Sequence, residues 1–147
     1  MLNCKEFWET WGQTNALYNA WTVTHKINYY VLFVLYTLDS HSSMTQKKIC
    51  EYTGITKQTV NSVIRNLKKD GYVILSSCLE DKRERKVILT KKGSIYAKKI
   101  LTPLYEFESN IFSIMGNDRV KQMIGSITLF NTIFEKNLKI DEENSDE

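Results

Sequence analysis

Four polar side chains, Gln58, Asn61, Ser62 and Arg65, recur in the stretch KQTVNSVIRNLKK at the spacing of one helix face. The same stretch carries Val60, Val63, Ile64 and Leu67 at i, i+3, i+4 and i+7, which predicts a helix over Lys57 to Lys69 with one buried stripe. At about 100° per residue the opposite face holds the four polar residues and Lys69, with Lys57 and Thr59 towards its edges. Gln and Asn can bond an adenine edge at two points, Arg can bond guanine or phosphate, and Ser can serve either. The amides at the start of such a helix also suit a phosphate. This chemistry fits a DNA major groove; the alternative is a face that is merely solvated.

A second charged group follows. Tyr72 to Ser77 and Lys86 to Thr90 are apolar and β-branched enough to be two strands, joined by the hairpin CLEDKRER at 78–85. Asp81, Lys82, Arg83 and Arg85 lie at or beside its tip. A ribbon tip can reach a minor groove, where the negative potential favours arginine. Asp81 would be repelled by phosphate, so its expected role is to hold an arginine or the ribbon base by a charge-assisted bond. Solubilising charge on an exposed hairpin is again the alternative. Charge distribution bears on the choice. Thr45 to Ile100 has 14 basic against 5 acidic residues, whereas the rest of the chain has 6 against 12. A basic middle between acidic ends is the footprint of a polyanion-binding face.

Other chemistries are poorly served. No nucleophile-base-acid spacing or phosphate-cradling glycine loop is present, so an enzyme is not expected. Two histidines, His25 and His41, and three scattered cysteines do not make a metal site, and no cofactor is expected. Cys50 and Cys78, at a core-facing position and a strand end, read as structural. No run approaches the roughly 18 apolar residues of a membrane span. The N-terminus lacks a signal-peptide layout. These features predict a cytoplasmic protein with reduced cysteines.

The elements that must position these groups follow from periodicity. Residues 3–22 read as an aromatic helix with Phe7, Trp8, Trp11, Leu17, Tyr18 and Trp21. A second, nearly all-apolar helix is expected from near Thr24 through Thr37, then a loop over Asp39 to Ser43. Thr45 is the expected N-cap of a short helix, QKKICEYT, with Ile49 and Cys50 facing inward. Gly54 ends it, and Thr56 caps the polar-faced helix that Gly71 closes. A long helix runs from Lys91 to about Met115, bent or interrupted at Pro103. Gly116-Asn117-Asp118 breaks the chain before a last helix striped by Val120, Met123, Ile124, Ile127, Phe130, Phe134 and Leu138. The tail DEENSDE is expected to be disordered.

GITKQTVNSVIRNLKKDGYV followed by DKRERKVILTKKG closely resembles the MarR family of winged-helix transcription regulators. The pattern T-x-x-x-I-x-x-x-T-G-I-T-K-Q-T-V matches that family's helix-turn-helix. Asp81-x-Arg83, with Leu89-Thr90-x-x-Gly93 after it, matches its wing, and THKINYYVLFVLYTL looks like the preceding helix. YVILSSC departs from the pattern, placing Leu75 where many relatives have a charged residue. The resemblance implies a mainly α fold with a small antiparallel β-wing, a winged helix-turn-helix plus N- and C-terminal dimerisation helices. It implies one domain at 1–140, with its core at about 24–93, dimerisation helices at about 3–22 and 91–138, and an acidic disordered tail at 141–147.

By the same resemblance the chain would be a homodimer and a repressor on a pseudo-palindromic operator in double-stranded DNA. Lys57, Gln58, Thr59, Asn61, Ser62, Arg65 and Lys69 would face the major groove. Arg83 would sit at the wing tip, with Asp81 fixing the wing. Many relatives are released by a small aromatic or hydrophobic ligand. Trp8, Trp11, Trp21, His25, Tyr29 and Tyr30 could line such a cleft, or could be dimer core. A winged helix that binds an acidic protein partner is one competing function; the other is a thiol-based redox-sensing regulator acting through Cys4, since some relatives sense peroxide through an N-terminal cysteine.

Overall fold

A polar residue sets the start of nearly every helix in the computed structural model, which describes residues 3–77 and 85–145. Asn3 opens α1 (Cys4–Thr24), and Asn28 opens α2 (Tyr29–His41) by accepting from the amides of Tyr30 and Val31. Thr45 caps α3 (Gln46–Thr53) through the Lys48 amide, and Thr56 caps α4 (Lys57–Lys69) through the Thr59 amide. Three strands complete this part: β1 (Ser43–Thr45), β2 (Val73–Ser77) and β3 (Arg85–Leu89). Helices α5 (Lys91–Met115) and α6 (Asn117–Ser145) follow.

The chain divides into two compact units, Met1–Pro103 and Leu104–Glu147. In the first, the core is built from Leu32, Val34, Leu35 and Leu38 of α2, Ile49 of α3 and the α4 stripe Val60, Val63, Ile64 and Leu67. Met44, Val73 and Val87 add the inner face of the sheet, and Ala97, Ile100 and Leu101 the inner face of α5. Strand β3 is central in an antiparallel sheet of order β1-β3-β2; Val87 pairs with Met44 on one side and Leu75 on the other. The architecture is mainly helical with a small antiparallel sheet, a winged helix-turn-helix, as expected.

Several boundaries differ. The second helix starts at Tyr29 rather than near Thr24. Lys26 adopts φ +55°, which ends α1, and the Asn28 carboxamide starts α2 afresh. Asp39, Ser40 and His41, expected in a loop, are helical. Ser40 and His41 turn their side chains back onto the carbonyls of Tyr36 and Thr37 instead of competing for the backbone. Strand β1 was not expected at all: it is three residues long and overlaps the α3 cap. Pro103 lies inside a continuous α5, without an irregular turn, although the division into two units falls at it.

The second unit has no interior of its own. Among the described residues beyond Leu104 none is buried, and α6 exposes Ile124, Ile127, Phe130, Ile133, Phe134 and Leu138. Helix α6 also continues to Ser145, correcting the expectation of a disordered tail from 141. Nothing in DEENS breaks a helix, and Lys139 pairs with Glu135 at 2.9 Å one turn before it.

Candidate nucleic-acid interface

Helix α4 is held by its apolar stripe, which leaves the polar face free. Lys57, Gln58, Ser62, Arg65 and Lys69 are all exposed. Thr59 and Asn61 are not equivalent to them. Thr59 is half-buried, and its hydroxyl accepts from the Thr56 hydroxyl at 3.0 Å, so it completes the cap. Asn61 is also half-buried, and its Oδ1 is turned into the protein, where it meets no donor. The exposed face is therefore narrower than periodicity predicts.

On the wing, Arg85 and Lys86 stand exposed at the start of β3. Asp81, Lys82 and Arg83 lie outside the described residues. Leu75 is half-buried opposite Val87, so at this departure from the family pattern the side chain packs within the sheet.

A set of residues that periodicity does not pick out fixes the wing base to α4 and α5. The Tyr72 and Tyr96 rings stack with centroids 4.0 Å apart and planes 4° from parallel. Lys92 lies 4.9 Å above the Tyr72 ring and donates from Nζ to the Asp70 carbonyl at 2.8 Å. That carbonyl is at the C-terminal end of α4, where a cation is favourable. Thr90 donates its hydroxyl to the Gly71 carbonyl at 2.7 Å and accepts from the Gly93 amide at 2.9 Å. Burial, together with the Tyr72 and Asp70 side chains nearby, raises the Tyr96 hydroxyl above the usual tyrosine range. The Thr90-x-x-Gly93 signature is the visible part of this joint. Its aromatic half pairs residues 24 positions apart, for which no local pattern gives a sign.

The six aromatic and histidine residues considered for a ligand cleft fall into separate arrangements. Trp8 and Trp11 flank Phe7 on exposed positions of α1, with Trp11 stacked on it at 6.2 Å. Trp21 is buried and stacks on His25 at 3.9 Å, while His25 Nδ1 engages the Trp21 carbonyl at 2.8 Å. Tyr29 packs against Phe33 at 4.7 Å and edge-on against Tyr30. Trp21, His25 and Tyr29 are thus engaged within the fold. Cys4 is exposed and Cys50 half-buried; Cys78 lies outside the described residues. Among the described residues no cluster of three or more His, Cys, Asp or Glu could hold a metal, and no helix is long and apolar enough to cross a membrane.

A sequence model of the MarR family matches residues 25–84, the stretch from the end of α1 into the wing. YwoH, an uncharacterized HTH-type transcriptional regulator of Bacillus subtilis, is 35% identical over 80 residues, which cover 54% of this chain and 58% of that protein. The match thus spans less than two thirds of that relative's length. The structure of a MarR family regulator from Neisseria meningitidis superposes with a TM-score of 0.82 at 26% identity, covering 96% of this chain and 99% of that one. The S. aureus MepR–DNA complex has the same fold, with a TM-score of 0.66 at 18% identity over 91% and 99% of the two chains. The helix-turn-helix with its wing, the family match over the same residues and the near-complete superposition agree: the chain has the fold of the MarR family regulators and matches that family's sequence model over residues 25–84.

Proposed function

We propose that this chain is a transcription regulator that binds duplex DNA as a homodimer. Each α4 lies in a major groove and each β2–β3 wing beside an adjacent minor groove. The observation that carries this reading is the face of α4 itself. Five cationic or hydrogen-bonding side chains stand exposed on a helix whose other side is locked into the core. Further basic residues, Lys68, Arg85, Lys86, Lys91, Lys98 and Lys99, are exposed on α4, β3 and α5. A protein of the same fold, MepR, has been captured on DNA. Two-fold pairing would present two such heads to a pseudo-palindrome with half-sites about one helical turn apart. By motif match, Arg83 enters the minor groove and Asp81 steadies it. Occupying an operator in this way makes the protein a repressor.

The test is a salt-titrated binding assay on the promoter region of the protein's own gene and on random DNA of equal length. Tighter binding to the promoter is expected, with an affinity that falls steeply with salt as phosphate contacts release counterions. Arg83→Ala should weaken operator binding while leaving the protein folded. Equal, weak binding to both DNAs would point the basic face at an acidic protein partner instead.

A further inference from the structure

Asn61 lies on the polar face, and the fold restricts what its carboxamide can do. It lies on the flank of α4, about 100° from Val60 and one turn before Arg65. A carboxamide offers an acceptor, Oδ1, and a two-hydrogen donor, Nδ2. Here Oδ1 is sealed from solvent and has no hydrogen-bond partner. Two-point recognition of adenine needs both ends of the amide, Oδ1 accepting from N6 and Nδ2 donating to N7. With Oδ1 turned inward, only the donor end remains for a base. Rotating the amide by half a turn would not restore the pair, because it would bury the two donor hydrogens in place of the oxygen.

We infer that Asn61 reads its base as a donor only, through Nδ2, and so selects a base that shows acceptors in the major groove. Guanine, with N7 and O6, and thymine, with O4, meet that requirement; cytosine presents a donor there, and adenine sets its N6 donor hydrogens beside its one acceptor, N7, so both are disfavoured by a group that can only donate. This assignment rests on the proposed DNA-binding function and names one element of its specificity. Adenine, the usual partner of an asparagine on a recognition helix, is not the expected base. The buried oxygen also has a consequence that does not involve DNA. An unpartnered buried acceptor weakens the fold, so removing it should not destabilise the protein.

The experiment selects bound sequences from a random duplex pool with the full-length wild-type protein and with Asn61→Ala, and melts both proteins without DNA. The wild type is expected to enrich guanine or thymine at one position of each half-site. Asn61→Ala should lose the preference at that position alone and bind the selected site about five-fold or more weakly. Its melting temperature should equal that of the wild type or exceed it by about 3 °C. An adenine at the position that Asn61→Ala relaxes, an unchanged set of selected sequences, or a variant that melts several degrees lower would each overturn the assignment. Failure of the wild type to enrich any sequence would instead overturn the DNA-binding function itself, and the role of Asn61 with it.

Discussion

Gly93 illustrates how a single missing side chain can hold a wing in place. A Cβ at this position would overlap the carbonyl oxygen and carbon of Tyr72, backbone atoms that cannot swing away. The close approach is what lets Thr90 bond both Gly71 and Gly93 while Tyr72 stacks on Tyr96. Gly93→Ala should therefore cost at least about 3 kcal/mol, the upper range for overpacking a tight site. Urea unfolding monitored by circular dichroism measures it, and a loss below about 1 kcal/mol would mean that the joint is slack. At this scale the sequence shows which residues are polar and where they sit around α4, because a helix advances by a fixed angle. It does not show what backs the helix on either flank. That is why Asn61 looks equivalent to Gln58 and Arg65, and Thr59 like the edge of the same face, until Thr59 is found in the cap and the Asn61 oxygen is found buried.

At the level of elements, the caps were the most legible feature and the least ambiguous in their chemistry. Thr45, Gly54 and Thr56 do what a hydroxyl or a residue with φ +68° does at a helix end. Strand β1 and the start of α2 were not legible, for different reasons. Three residues give no alternation to read, and β1 exists only because Met44 finds Val87 on a strand formed 43 positions later. The α1–α2 junction falls at His25-Lys26-Ile27-Asn28, where Lys26 leaves helical backbone and Asn28 caps the next helix; neither glycine nor proline marks it, so the sequence hides the break. The Thr56 cap makes a direct prediction. Thr56→Ala removes the acceptor for the Thr59 amide and the donor to the Thr59 hydroxyl, and should cost about 1 kcal/mol. If α4 is the reading helix, operator affinity should fall further than stability alone explains, because its first turn carries Lys57, Gln58 and the amides that meet a phosphate. Equal affinity for wild type and Thr56→Ala, measured well below the melting temperature, would remove the first turn of α4 from the interface.

For the molecule as a whole, the question is what completes residues 104–147. The stripe along the last helix was readable, but periodicity does not say whether it meets its own chain or another. With no buried residue among those described beyond Leu104 and a row of exposed Ile, Phe and Leu on α6, the unit is too apolar to stand alone in water. A second copy is the occupant that the proposed function requires, since one reading head covers only half of a pseudo-palindrome. Two consequences can be measured. The melting temperature of the wild type should rise with protein concentration, as mass action demands when folding and association are coupled. Replacing Phe130 and Phe134, whose rings lie 5.8 Å apart, with aspartate should abolish the dimer in sedimentation. The same change should weaken operator binding by about 100-fold or more, the loss expected when two linked half-site contacts become one. A variant that sediments as a monomer yet keeps wild-type affinity would show that one head is enough and that the apolar face of α6 serves another purpose.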